Sequence, residues 1–125
     1  MKRIIETLKA PKAIGPYSQA VEINNTLYVS GQIPLDPKTM KVVDGDIKEQ
    51  TIQVMKNTGA ILEAAGYSFS DVVKSTCLLS DMNNFSWMNE VYGSFYNRNS
   101  PARATFAVKD LPLGVLIEIE TIAVK

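Results

Sequence analysis

The sequence predicts an α+β domain in which two helices cover one face of a mixed β-sheet. Two segments repeat apolar residues at helical spacing, and six others are β-branched or alternate between apolar and polar residues. Their order along the chain is βββαβαββ. Because 125 residues suffice for one core but seldom for two, residues 1–125 are predicted to form a single domain.

The first three strands are predicted in the N-terminal part of the chain. Residues 3–7 form a short strand, and the loop KAPKAIGPYSQ that follows contains two prolines and a glycine. The segments SQAVEI and TLYVSG flank Asn24 and Asn25, which tolerate positive φ. This pattern indicates two strands joined by a tight turn.

A long loop over residues 33–45, with two prolines and a glycine, leads to the first predicted helix. Asp46 and Glu49 have the spacing of a capping box, so the helix begins at Asp46. Gly66 supplies the stop signal. The residues at helical spacing are Ile47, Thr51, Val54, Met55, Thr58, Ile61, Leu62 and Ala65.

The segment VVKSTCLLS is β-branched and apolar, which favours a central strand. A second helix is predicted to begin near Asn83 or Asn84. The segments ATFAV and VLIEIETIAV form the last two strands, with LPLG in the connection between them. The apolar face of the second helix comprises Phe85, Met88, Val91, Tyr92 and Phe95.

Two helices cover only one face of such a sheet. In the last strand, the alternation places Glu118 and Glu120 on the opposite face, together with apolar residues that include Ile122 and Val124. One interpretation is a solvent-facing side with ordinary surface glutamates. The other, which we favour, is contact with another subunit, where carboxylates need cationic partners. Arg103 is a candidate partner if its strand pairs with the last one.

Composition excludes several classes of function. Thirteen basic and thirteen acidic residues cancel, which argues against nucleic acid as a partner. The absence of histidine excludes Ser-His-Asp and Cys-His chemistry. Cys77 lies in an apolar run and is predicted to be a core residue, and the chain offers no typical zinc ligand set.

No apolar run approaches the roughly 18 residues of a membrane span. The start MKRIIETLKA lacks the apolar stretch of a secretory signal. We therefore expect a cytoplasmic protein without a membrane partner, and an organellar form remains an open alternative.

Four separated motifs resemble those of one known family. They are AIGPYSQAV at 13–21, VSGQIPLDP at 29–37, SPAR at 100–103 and IEIETIAV at 117–124. The chain resembles the RidA family of enamine/imine deaminases, formerly labelled endoribonuclease L-PSP or translation inhibitors, over nearly its whole length. The resemblance implies a two-layer, chorismate-mutase-like fold that assembles as a homotrimer around a central β-barrel, with ligand clefts between subunits.

The resemblance also implies an activity, the hydrolysis of 2-aminoacrylate and related 2-imino acids to 2-oxo acids and ammonia. No cofactor and no metal are implied, because PLP stays with the upstream enzymes, which contribute only their products. Arg103 would hold the substrate carboxylate in a bidentate clamp. Glu118 would orient and deprotonate the attacking water. These two residues are the predicted catalytic pair.

Other site residues follow from the same resemblance. Tyr17 would close the cleft and offer a hydroxyl, and Ser30 and Gly31 would bring a hydroxyl and a closely approaching backbone to the ligand. Asn89 would border the pocket. Glu120 is a second candidate base, although an interface salt bridge is its favoured role.

Thr105 departs from the cysteine that many bacterial members carry two residues after the arginine. If that thiol were the nucleophile, the activity would be lost here. Imine hydrolysis needs a positioned water rather than a covalent intermediate, so we expect Thr105 to replace the cysteine by holding the water through its backbone carbonyl.

Two other functions stay open at this point. The Arg103 cleft would equally suit a regulatory module that binds small carboxylates without turnover. The older family label describes an endoribonuclease that inhibits translation, which the zero net charge and the lack of histidine disfavour.

Overall fold

A computed structural model describes all 125 residues and confirms the predicted order of elements. The predicted N-terminal strand is shorter than expected, and the other elements lie within a few residues of their predicted bounds. The strands are β1 (Arg3–Ile5), β2 (Ala20–Ile23), β3 (Thr26–Gln32), β4 (Val72–Leu79), β5 (Ala102–Ala107) and β6 (Ile117–Val124), and the helices are α1 (Ile47–Ala65) and α2 (Phe85–Ser94).

The six strands form one mixed sheet in the order β1-β2-β3-β6-β4-β5. Every neighbouring pair is antiparallel except β4 and β5, which run parallel. Helix α1 packs on β3 and β6, and α2 packs against α1 on the same side of the sheet. The predicted two-layer arrangement is therefore confirmed.

The expectation that the strand of Arg103 pairs with the last strand is wrong. Strand β5 pairs with β4, and β4 lies between β5 and β6. The reason is the helix between β4 and β5: a strand, a crossover helix and a second strand form a unit whose strands lie side by side in parallel. The connection over residues 108–116 is then long enough to carry the chain past β4 to its other side.

The ends of α1 follow the predicted signals. The Asp46 carboxylate accepts a hydrogen bond from the Lys48 amide at 3.0 Å, and the Glu49 carboxylate accepts one from the Asp46 amide at 2.9 Å. Gly66 ends the helix in the left-handed region, with φ of 83°. The capping-box and stop-signal predictions are both confirmed.

The two faces of the sheet differ as the alternation in β6 predicts. Ile117 and Ile119 face the helices and are buried. The opposite face has no covering element in the chain and exposes large apolar side chains, with Tyr28 and Phe106 each 49% exposed and Val124 41% exposed. Neither helix combines the length and the apolar character needed to cross a membrane.

We predict opposite effects on stability from the same change at two glycines. Gly66→Ala forces a side chain into the left-handed region and should lower the free energy of unfolding by about 1 kcal/mol. Gly93→Ala lies within α2, where an added Cβ meets nothing within 4 Å, and should raise it by about 0.5–1 kcal/mol. Chemical denaturation at equal protein concentration measures both. A stabilising effect of Gly66→Ala would contradict the cap assignment.

Candidate active site

One cleft of about 580 Å³ brings together four of the predicted site residues, Tyr17, Ser30, Gly31 and Glu118. Strands β3 and β6 contribute Ser30, Gly31 and Glu118, and the loop before β2 contributes Tyr17. The cleft therefore forms where this loop meets the open face of the sheet.

A β-bulge shapes the cleft at Ser30 and Gly31. The pairing of β3 with β6 shifts register between Val29 and Gln32, so the intervening residues leave the regular ladder. A Cβ added to Gly31 would overlap a carboxylate oxygen of Glu118 and lie 3.0 Å from its Cδ. Glycine at this position leaves the space that the Glu118 carboxyl group occupies.

The Glu118 side chain is half-buried and takes part in no ion pair, since the two ion pairs of the chain join other residues. Burial raises the pKa of its carboxyl group, and the neighbouring charge of Glu120 raises that pKa further. A carboxylate with a raised pKa is a better proton acceptor at neutral pH. Glu120 itself is exposed on the same face.

The loop before β2 is held by one buried side chain, Gln19. Its amide nitrogen donates hydrogen bonds to the carbonyls of Pro11 at 2.8 Å and Thr7 at 3.0 Å. Its amide oxygen accepts from the backbone N–H of Thr7 at 2.7 Å. These bonds fix the path of the loop that brings Tyr17 to the cleft.

The hydroxyls of Ser30 and Tyr17 differ in what they offer to a ligand. Ser30 donates its proton to the carbonyl of Ser18 at 2.6 Å, so toward the cleft it presents only an acceptor oxygen. The Tyr17 hydroxyl accepts from the Ile14 amide at 3.3 Å and keeps its own proton free for donation.

Of the other predicted residues, Glu120, Arg103, Thr105 and Asn89 do not line this cleft. In the strand register, Arg103 lies opposite Ser75, which is buried on the helix side of the sheet. Glu118 lies on the open side, with β4 between the two strands. One chain therefore does not bring Arg103 beside Glu118.

Thr105 and Asn89 lie on the same side of the sheet as Arg103. Thr105 pairs with Cys77 on β4, and Asn89 projects from α2. The Thr105 hydroxyl oxygen and the Asn89 amide oxygen are both buried without a hydrogen-bonding partner in the chain. Together with Arg103 they form a second group of polar side chains, which we call the arginine half-site.

Burial raises the pKa of the Cys77 thiol to about 11, although Arg103 nearby acts in the opposite direction. The thiol therefore stays protonated, and the prediction that Cys77 is a core residue is confirmed. No three carboxylate or thiol side chains converge in a way that would hold a metal ion.

Lys12 also lines the cleft, although no motif or spacing in the sequence points to it. An exposed lysine in a loop looks like a solvated residue, and only the hydrogen bonds of Gln19 reveal which way the loop runs. The apolar part of the cleft was not predicted either, because it combines segments distant in sequence. It is lined by Ile14, Ile33, Leu35, Met40, Pro112 and Leu113.

Comparison with known proteins identifies the family of the chain. A model of the family described as Endoribonuclease L-PSP matches residues 7–125. The chain is 58% identical to a RutC family protein of Pyrococcus horikoshii, covering 100% of this chain and 99% of that protein. It is 50% identical to human 2-iminobutanoate/2-iminopropanoate deaminase, covering 100% of this chain and 91% of the human protein.

Among solved structures, E. coli TdcF with bound serine is similar, with a TM-score of 0.94 and 41% identity over 98% of each chain. The chain therefore belongs to the endoribonuclease L-PSP family, which is the family that its motifs resemble. The predicted α+β fold is the fold of that family.

We predict that Gly31→Ala displaces the Glu118 carboxylate with little loss of stability, because the overlapping atoms lie at the end of a flexible side chain. The displaced carboxylate gains hydration, so its pKa should fall toward the ordinary glutamate value. A ¹³C NMR titration of the Glu118 carboxyl carbon measures this shift, with Gly93→Ala as the control. An unchanged titration midpoint would contradict the proposed packing.

Proposed function

We propose that this protein is an imine deaminase that hydrolyses 2-iminobutanoate, 2-iminopropanoate and related 2-imino acids to 2-oxo acids and ammonia. The observation that carries the proposal is a glutamate with a raised pKa in an open cleft, together with an arginine whose charge no protein anion neutralises. The 50% identity to human 2-iminobutanoate/2-iminopropanoate deaminase supports the same chemistry.

The site we propose is shared between two copies of the chain. Glu118, Tyr17, Ser30 and Gly31 come from one copy, and the arginine half-site comes from its neighbour. Two observations support this arrangement: the halves lie on opposite sides of the sheet within one chain, and the open face of the sheet exposes apolar side chains. A homotrimer with cyclic symmetry would repeat such an interface three times.

Each residue then has a chemical role. The guanidinium of Arg103 binds the substrate carboxylate through two parallel N–H donors. Glu118 takes a proton from water as the water oxygen bonds to the imine carbon, and its carboxyl group passes that proton to the imine nitrogen, which gives a tetrahedral carbinolamine. Glu118 then takes the proton of the carbinolamine hydroxyl and passes it to the amine nitrogen. The C–N bond breaks with its electron pair on nitrogen, so ammonia leaves as the carbonyl of the 2-oxo acid forms.

Placement supplies much of the rate enhancement, since such imines also hydrolyse in water. A positioned acid/base group contributes about 10²- to 10⁴-fold. The Tyr17 hydroxyl, whose proton is free, is a suitable donor to the carboxylate or to the developing alkoxide. Substrates would come from PLP-dependent dehydratases, whose unstable enamine products tautomerise to imines.

A second candidate function is the binding of small carboxylates without turnover. The serine bound to E. coli TdcF favours a small ligand that carries a carboxylate group. Turnover separates the two functions: a pure binding module would retain ligand but release no more oxo acid than the uncatalysed reaction.

We predict that Arg103→Ala and Glu118→Ala are each inactive alone but regain activity when co-assembled. If the site joins two copies, about a quarter of the interfaces in an equal mixture carry both intact halves, so about a quarter of wild-type activity should return. Oxo-acid release from imines generated by a dehydratase measures this, after subtraction of the uncatalysed rate. An inactive mixture beside active wild type would contradict the shared site.

We predict that kcat/KM falls at acid pH with a midpoint above the ordinary glutamate pKa. Glu118 acts as a base only when it is ionised. Because its pKa is raised, its carboxyl group stays protonated at pH values where an exposed glutamate is already ionised. Glu120→Gln removes the second cause of the raised pKa, so the midpoint should move to lower pH.

Glu90→Gln is the matched control, because Glu90 lies on α2 and pairs with Lys48. It should leave the acid limb of the pH profile where it is. If Glu118→Gln kept both the activity and the acid limb of the wild type, Glu118 would not be the base.

A further inference from the structure

The guanidinium of Arg103 lies against two aromatic rings of α2. Its Cζ is 5.0 Å from the ring centroid of Tyr92 and 5.6 Å from that of Phe85. Both distances are within the range of cation–π attraction. Phe85 and Tyr92 are two helical turns apart, so one face of the helix presents both rings to β5.

Arg103 has no acidic partner within the chain. The two ion pairs join Arg3 to Glu22 and Lys48 to Glu90, and no side-chain hydrogen bond involves Arg103. A carboxylate partner would occupy N–H donors and neutralise the charge. An aromatic face attracts the guanidinium without a carboxylate oxygen to accept from its N–H donors, so these donors stay available for a ligand.

The Tyr92 ring is itself buried among other aromatic rings. Tyr92 is 4% exposed, and its ring packs 5.0 Å from that of Tyr96, which packs edge-on against Phe69 at 5.5 Å. The Tyr92 hydroxyl is buried without a hydrogen-bonding partner in the chain. Because Arg103 Cζ lies over the ring and no hydrogen bond joins it to the hydroxyl, the ring is the part of Tyr92 that attracts Arg103.

We propose that Tyr92 is a positioning residue for the Arg103 carboxylate clamp, with Phe85 as its flanking ring. The two rings set the plane of the guanidinium and leave its N–H donors unoccupied. The guanidinium is therefore already oriented when a ligand carboxylate arrives. This inference rests on the proposed function, in which Arg103 binds the substrate carboxylate.

Tyr92→Leu and Tyr92→Phe test the proposal as a pair. Calorimetry measures the Kd of 2-oxobutanoate, the stable product of the proposed reaction, and steady-state kinetics measures kcat and KM for 2-iminobutanoate. Tyr92→Leu should raise Kd and KM about 3- to 30-fold. Its kcat should change little, because the carboxylate contact is the same in the ground and transition states. Tyr92→Phe keeps the ring and should behave as wild type.

Phe85→Leu keeps the proposal testable if Tyr92→Leu does not fold, because Phe85 is only partly buried. It should raise Kd in the same direction by a smaller factor, in keeping with its longer distance. Arg103→Ala should abolish the binding of 2-oxobutanoate. Thermal unfolding of each variant separates a loss of binding from a loss of structure.

The outcomes are distinct. The proposal would be overturned if folded Tyr92→Leu bound 2-oxobutanoate as tightly as wild type, or if Phe85→Leu did so when Tyr92→Leu does not fold. Equal losses of affinity in Tyr92→Phe and Tyr92→Leu would also overturn it. So would the absence of 2-oxobutanoate binding by wild type. If 2-oxobutanoate binds in a ring-dependent way but wild type hydrolyses no imine, the positioning role stands and the proposed deaminase function fails.

Discussion

Strand β4 separates Arg103 from Glu118, and this separation constrains any account of the site. The constraint arises from chain connectivity: the crossover through α2 obliges β5 to lie parallel to β4, and β6 then occupies the other side of β4. A cation and a carboxylate on neighbouring strands would neutralise each other as an internal ion pair. Because Arg103 and Glu118 are held apart within one chain, each remains free to bind a ligand group.

Each half of the site is prepared by a different physical device. In the cleft, the bulge of β3 and the missing side chain of Gly31 let the Glu118 carboxyl lie close to the backbone, where burial raises its pKa. Beside α2, aromatic rings hold the Arg103 guanidinium without occupying its donors. In both cases the surroundings orient a charged group and leave it unpaired, as ligand binding requires.

Local signals in the sequence were sufficient for most of the fold. The Asp46 capping box, the Gly66 stop and the Asn24–Asn25 turn depend on residues close in sequence, and each prediction was confirmed. The pairing of β5 was missed because it depends on a crossover between distant segments. A rule favouring short connections gave the wrong neighbour.

The same distinction applies to the site. Motif resemblance identified Tyr17, Ser30, Gly31 and Glu118, which do share one cleft. Lys12 and the apolar lining could not be predicted, because they reach the cleft through loop paths set by buried hydrogen bonds. The aromatic contacts of Arg103 were also missed, since the periodicity of α2 marks Tyr92 as a core residue without showing what its ring touches.

A crystal structure of the assembled protein with bound 2-oxobutanoate would show whether two copies share the site. We expect the ligand carboxylate to contact Arg103 of one copy while its carbonyl carbon lies near Glu118 of another. A carboxylate bound by Lys12 within a single copy, with Arg103 directed into solvent, would contradict it.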